Sequence, residues 1–194
     1  MPGFNHRRQF FTERGRSALD HEYYMEQALL LAREAARAGE VPVGCVIVRG
    51  GEIVGRGRNR REEKQATCSH AEMEAIREAN RALGSWRLED CTLYVTLEPC
   101  SHYGRTGPCA KAVAEAGIAR VVVAMQDPNP KVAGRGMEML RAAGVEVRCG
   151  VLAAEAARLN EVFLHWITTG LPFVALKTAM TLDGKIATHT GDSQ

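Results

Sequence analysis

The amino-acid sequence predicts an α/β domain, a three-layer α/β/α sandwich with a mixed, mostly parallel five-stranded core sheet. Two observations carry this expectation. Short β-branched runs bounded by Gly and polar turns alternate along the chain with stretches whose apolar residues recur every three or four positions, the pattern of strands joined by helical crossovers. The chain has 194 residues, 45% of them hydrophobic, and a formal charge of +2. That is an ordinary globular composition, long enough to bury roughly 70% of the unfolded surface around one main core.

Residues 1–20 contain His6, Arg7, Arg8, Arg14 and Arg16 with little periodicity and read as a basic, mobile arm, a solvated tail more readily than a phosphate contact. In residues 21–38, Tyr24, Ala28, Leu31, Ala35 and Ala38 mark an amphipathic helix that stops at Gly39 and covers a sheet. Val43-Gly44-Cys45-Val46-Ile47-Val48 and Ile53-Val54-Gly55-Arg56-Gly57 flank Gly50-Gly51, so they form a hairpin. A polar, mixed-charge loop from Arg58 to Lys64 follows, with Asn59 a candidate to face a ligand. The next helix begins near His70 and runs to about Leu83. Thr92-Leu93-Tyr94-Val95-Thr96 is a third strand, and it delivers Pro99-Cys100 at its carboxyl end, the edge where α/β sheets place ligands. A helix over 108–116, a strand over 120–124, a helix over 134–143, a strand over 145–149 and a helix over 153–166 complete the alternation. Between 124 and 134 lies the polar loop Gln126-Asp127-Pro128-Asn129-Pro130-Lys131. Residues 173–180 read as one more strand.

The chemistry is concentrated in Cys68-Ser69-His70-Ala71-Glu72 and, thirty residues on, Pro99-Cys100 and Cys109. His70, Cys100 and Cys109 supply three N and S donors of the kind zinc prefers, and three protein ligands leave a coordination position open for water. Zinc lowers the pKa of bound water from about 15.7 to about 7, and a carboxylate two residues from the histidine can handle the protons. Glu72 is that carboxylate. Ser69 and Glu72 also have the spacing of a capping box, which by itself asks nothing of catalysis. Pro108 at a first helical position would put Cys109 in the first turn, where the helix dipole favours thiolate. Cys45, Cys91 and Cys149 fall in apolar runs and read as small buried residues; Cys68 is an unliganded thiol near the pocket. With no run of about 18 apolar residues and no signal-peptide core at the start, a cytoplasmic protein is expected.

His70-Ala71-Glu72 followed by Pro99-Cys100 and Cys109 resembles the zinc nucleoside and nucleobase deaminases of the cytidine-deaminase superfamily, whose signature is H-x-E then P-C-x-x-C. Eight residues rather than two separate Cys100 from Cys109, and the intervening Ser101-His102-Tyr103-Gly104-Arg105-Thr106-Gly107-Pro108 is similar to the pyrimidine deaminases of riboflavin biosynthesis. The likeness changes along the chain. Up to Cys100, segments such as Glu40-Val41-Pro42-Val43-Gly44 and Asn59-Arg60 resemble bacterial tRNA adenosine deaminases. From Ser101 through Asp127-Pro128-Asn129-Pro130, Gly134-Arg135-Gly136 and Leu159-Asn160-Glu161 the chain resembles the bifunctional riboflavin deaminase/reductase, which suggests a chimera joined near Cys100.

The resemblance implies hydrolytic removal of an aromatic amino group from a phosphorylated ribosylaminopyrimidine. It assigns Arg105 to the substrate phosphate and Asp127 and Asn129 to the pyrimidine and its ribosyl group; the tRNA-deaminase likeness assigns Asn59 instead and makes RNA a partner. Residues 21–169 would then be the deaminase, while 170–194, with Thr181-Leu182-Asp183-Gly184-Lys185, resemble the opening of a reductase domain that contributes no reduction by itself. A homo-oligomer is expected, and no membrane partner. A noncatalytic zinc module is the reading from another class, and it predicts a fourth protein ligand such as Cys68 or His102.

Overall fold

A computed structural model describes residues 18–104 and 106–192. Most of the expected basic arm, and Arg105, lie outside the described residues; the first helix, α1 (Ala18–Arg37), already includes residues 18–20. The β1 (Gly44–Arg49) and β2 (Glu52–Arg58) strands form the expected hairpin, closed by Gly50 and Gly51 at φ 60° and 91°. Two positive φ values are what a two-residue turn compatible with strand twist requires, and glycine alone adopts them freely. Then come α2 (Ala71–Leu83), β3 (Cys91–Val95), α3 (Cys109–Glu115), β4 (Arg120–Val123), α4 (Arg135–Ala142), β5 (Glu146–Cys149), α5 (Ala153–Leu159) and α6 (Glu161–Thr169).

The sheet order is β2-β1-β3-β4-β5. Because β1 pairs antiparallel with both β2 and β3, while β3-β4 and β4-β5 are parallel, four strands share one direction and β1 alone opposes them. This is the mixed, mostly parallel five-stranded sheet that the sequence predicts. Alternate residues of β1 enter different cores: Cys45 and Ile47 pack with α2, α3 and α4, whereas Val46 and Val48 pack with α1 and α5. Period-two alternation with both faces buried is the signature of the middle layer of a sandwich.

The α2 helix sits unusually close to the sheet. A Cβ on Gly57 would lie 2.0 Å from the Ala71 carbonyl oxygen and 2.5 Å from the Ala75 nitrogen, and one on Gly55 would lie 2.4 Å from the Ala75 carbonyl oxygen. Small residues on both partners, with Ala71, Ala75 and Ala79 fully buried on α2, permit this approach and fix the height of the helix start above β2. Gly57→Ala is therefore expected to lower stability by about 3 kcal/mol, the upper end for overpacking because the obstacle is backbone. A urea midpoint equal to that of the parent chain would show that α2 does not need this seat.

Two expectations change. The single helix over 153–166 is broken at Asn160, whose Nδ2 donates to Pro42 O (3.0 Å) and Ala156 O (3.1 Å), so α5 ends there and α6 restarts. A long-range side-chain bond to the Pro42 loop outweighs helical continuity. Residues 173–180 form no strand; Val174, Leu176 and Met180 are exposed, and the segment pairs with neither edge of the sheet, β2 nor β5. Propensity without a neighbouring strand does not make a ladder.

Candidate active site

The carboxyl ends of β2, β3 and β4 and the amino end of β1 converge on a cavity of about 260 Å³. His70 is the N-cap of α2 in extended conformation (φ −73°, ψ 157°), and no side chain caps that helix, so the capping-box reading of Ser69 and Glu72 does not describe this turn. Pro108 occupies the N-cap of α3 and Cys109 its first helical residue, one place later than expected but still in the first turn. The ligand atoms of His70, Cys100 and Cys109 lie within 4.8 Å of one another. His70 Nδ1 is 3.2 Å from Cys109 Sγ and 3.9 Å from Cys100 Sγ, and the Cys109 N–H donates to Cys100 Sγ at 3.3 Å. On a tetrahedral zinc, a nitrogen and a sulfur ligand are about 3.6 Å apart and two sulfurs about 3.8 Å, so zinc fits the group with little movement. Zinc is the cofactor these donors take.

The electrostatics show a proton shared within the donor group. A hydrogen bond from the Cys109 thiol pulls the Cys100 pKa down to about 4, and sharing that proton holds the Cys109 thiol well above its ordinary value. The bond to Cys100 raises His70. Metal binding displaces such protons, since the ligands are thiolate and neutral imidazole. Glu72 is 4% exposed, on the first turn of α2, and burial first, then the Cys100 charge, pushes its carboxyl up to about 7. It lines the same cavity as His70 and Cys100.

Asn59, Asp127 and Asn129 line this cavity too, so the residues assigned by the two likenesses, which the sequence set against one another, share one space. Asn59 Nδ2 donates weakly to Val41 O (3.4 Å), leaving its buried Oδ1 without a partner. Asp127 Oδ1 accepts the Asn129 N–H (2.8 Å), and Asn129 Oδ1 accepts the Lys131 N–H (3.0 Å), which fixes the polar loop. Burial raises the Asp127 carboxyl above its usual range.

The charged loop after β2 is more than a solvated connection. Arg58 and Arg60 both bind Glu63, the hydrogen bonds from Arg60 and Arg58 hold that carboxyl down to about 2, and the Glu63 N–H donates to Glu40 Oε1 at 2.8 Å. Arg61, within this braced loop, lines the cavity. Sequence reasoning missed Arg61, and also Glu98, whose only advance signal was a carboxylate placed among apolar residues directly before Pro99-Cys100. Of the cysteines expected to be buried, Cys45 and Cys91 are; Cys149 is exposed, because β5 is a sheet edge.

This fold and donor set define a class. Residues 19–125 match the cytidine and deoxycytidylate deaminase zinc-binding region, and the chain belongs to that family. It is 49% identical over 175 residues to the riboflavin biosynthesis protein RibD of Bacillus amyloliquefaciens, covering 89% of this chain and 45% of that one. Among solved structures, it resembles the diaminohydroxyphosphoribosylaminopyrimidine deaminase/5-amino-6-(5-phosphoribosylamino)uracil reductase of Thermotoga maritima (TM-score 0.81, 44% identity, 91% of this chain and 49% of that one). It also resembles a transfer-RNA deaminase that edits A to I at the wobble position (TM-score 0.62, 36% identity, 71% of this chain and 98% of that one).

The chain spans about half the length of the riboflavin relatives. Likeness to them is not confined to residues after Cys100: it runs over 175 residues and so through both halves. A junction at Cys100 is not needed to account for either likeness. No described helix is long and apolar enough to cross a membrane.

Proposed function

We propose that this chain is a zinc-dependent hydrolytic deaminase of riboflavin biosynthesis, acting on diaminohydroxyphosphoribosylaminopyrimidine. The observation that carries the reading is a buried carboxylate, Glu72, in one cavity with two of three zinc donors and with Asp127 and Asn129. The reaction exchanges a ring-bound amino group for oxygen, consuming water and releasing ammonia. Zinc, when bound, supplies the Lewis acidity that makes water a nucleophile near neutral pH. Glu72 takes one proton from the attacking water and gives it to the ring nitrogen; as the new hydroxyl becomes a carbonyl, Glu72 takes the second proton and gives it to the amine, which leaves as ammonia. Its burial keeps bulk water from competing for those protons. Asp127 and Asn129 orient the pyrimidine and its ribosyl group, and Asn59 offers a free acceptor to a ring N–H. Arg105 would hold the phosphate, where a guanidinium supplies two parallel donors.

The reading includes a cytoplasmic location, self-association, and a deaminase confined to residues 21–169, with 170–194 adding no reductase activity. A second reading, adenosine deamination in transfer RNA, is favoured by the near-complete coverage of the transfer-RNA deaminase structure and would require an extruded base. The noncatalytic module is disfavoured: the donor group contains neither Cys68 nor His102, and Cys68 Sγ instead accepts a hydrogen bond from Arg77 at 3.3 Å.

Ammonia release from both substrates tests these readings. The pyrimidine should react at least about 10²-fold faster than an anticodon adenosine; the reverse order would overturn the assignment. Within the same assay, Arg105→Ala should raise KM for the phosphorylated pyrimidine far more than for its dephosphorylated form. Equal effects would remove the phosphate role.

A further inference from the structure

We infer that Glu98 is a positioning residue, whose buried carboxylate fixes the spacing between the metal-ligand end of β3 and the loop after β4 that lines the same cavity. The side chain is 3% exposed and collects four backbone N–H groups. Oε2 accepts from Asp127 (3.2 Å) and Gly134 (2.9 Å), and Oε1 accepts from Gly136 (2.9 Å) and Met137 (3.2 Å). These donors bracket the segment whose Asp127, Asn129 and Val132 line the cavity with His70 and Cys100. The backbone of Glu98 belongs to the β3 side of this junction. It directly precedes Pro99-Cys100, and its own N–H donates to Met125 O at 3.0 Å.

The surrounding backbone is shaped for this contact. A Cβ on Gly136 would lie 2.0 Å from the Pro99 carbonyl oxygen and 3.2 Å from Glu98 Oε1, so the first turn of α4 is pressed against the strand end. Gly134 enters that turn at φ 92°. Two oxygens each taking two N–H groups is a match that only a carboxylate makes. A carboxamide has one oxygen, and its NH₂ would face donors with another donor. The positive end of α4 favours the charge as well. Ser101 Oγ donating to Lys131 O at 3.3 Å also links the two sides, but it is exposed. Glu98 also lines the cavity, but both of its carboxylate oxygens are taken by these four amides, so its part is to set where Asp127 and Asn129 stand relative to Cys100.

The kinetic part of the test rests on the deaminase reading; the exchange part does not. In the zinc-loaded full chain, Glu98→Gln should keep its zinc and speed amide exchange at Gly134, Gly136 and Met137 by about tenfold or more, while Val121, Val122 and Val123 stay protected. KM for the pyrimidine should rise roughly 10–100-fold with kcat changed by less than about threefold. Unchanged exchange and KM, or a fall in kcat with KM intact, would overturn the inference. Should Glu98→Gln not fold, Gly136→Ala retains the carboxylate but pushes α4 off the Pro99 carbonyl, and it should raise KM alike; a parental KM in that variant overturns the inference. If the parent chain releases no ammonia from the pyrimidine, the deaminase reading fails by itself. Exchange confined to residues 127–137 in Glu98→Gln then still supports the positioning role, and parental exchange there sinks it.

Discussion

Glu72→Ala is expected to bind zinc as the parent chain does and to lose ammonia release by at least about 10²–10⁴-fold, the usual contribution of a positioned acid–base group. Zinc should persist because the donor group is His70, Cys100 and Cys109, and Glu72 is not among them. The helix should persist because Ala is a favourable helix residue and because no side-chain cap is lost at the start of α2. Burial already disfavours the ionised carboxylate, so stability should hold or rise. Activity and stability are thus predicted to move in different directions, which separates a proton-transfer role from a structural one. A zinc-loaded Glu72→Ala chain with parental turnover would reduce Glu72 to an ordinary first-turn residue.

Cys109→Ala should have the largest effect on the metal. Two donors remain, on α2 and on the segment after β3, and they no longer enclose an ion from three sides. Zinc sites are worth on the order of 10 kcal/mol or more at neutral pH, so removal of one of three ligands should take metal content from about one per chain to near zero after dialysis against a chelator. The loss should also reach the fold. Cys109 begins α3, is buried, and its N–H contacts Cys100 Sγ, so a chelator should lower the thermal midpoint of the parent chain and leave that of Cys109→Ala almost unchanged. Stoichiometric zinc in the variant would mean that another residue, Cys68 or His102 first, completes the site.

Both variants alter residues that the amino-acid sequence already singles out. The donors are legible because zinc selects N and S ligands by chemistry, and because His70, Glu72, Cys100 and Cys109 stand at places where the apolar periodicity changes from strand to helix. The hairpin is legible from Gly50-Gly51 between two short apolar runs. What pattern does not supply is the outcome of competition between local and distant contacts. The Ser69–Glu72 spacing allows a cap, yet burial of Glu72 beside the donors leaves it uncapping. The 153–166 periodicity allows one helix, yet the bond from Asn160 to Pro42 breaks it. The Phe173–Met180 propensity allows a strand, yet neither sheet edge receives it.

The sequence by itself determined the chemistry of this protein and the alternation of its elements, since ligand identity, turn residues and hydrophobic period are local properties of the chain. Only the tertiary structure decided that Asn59, from the end of the hairpin, and Asp127 and Asn129, from the loop after β4, share one cavity. It alone decided that Glu98 joins β3 to α4 through four amides. The physical reason is that these relations depend on strand order and on how closely backbones approach, as at Gly57 and Gly136. Such distances arise between residues far apart in the chain, where neither propensity nor spacing carries information.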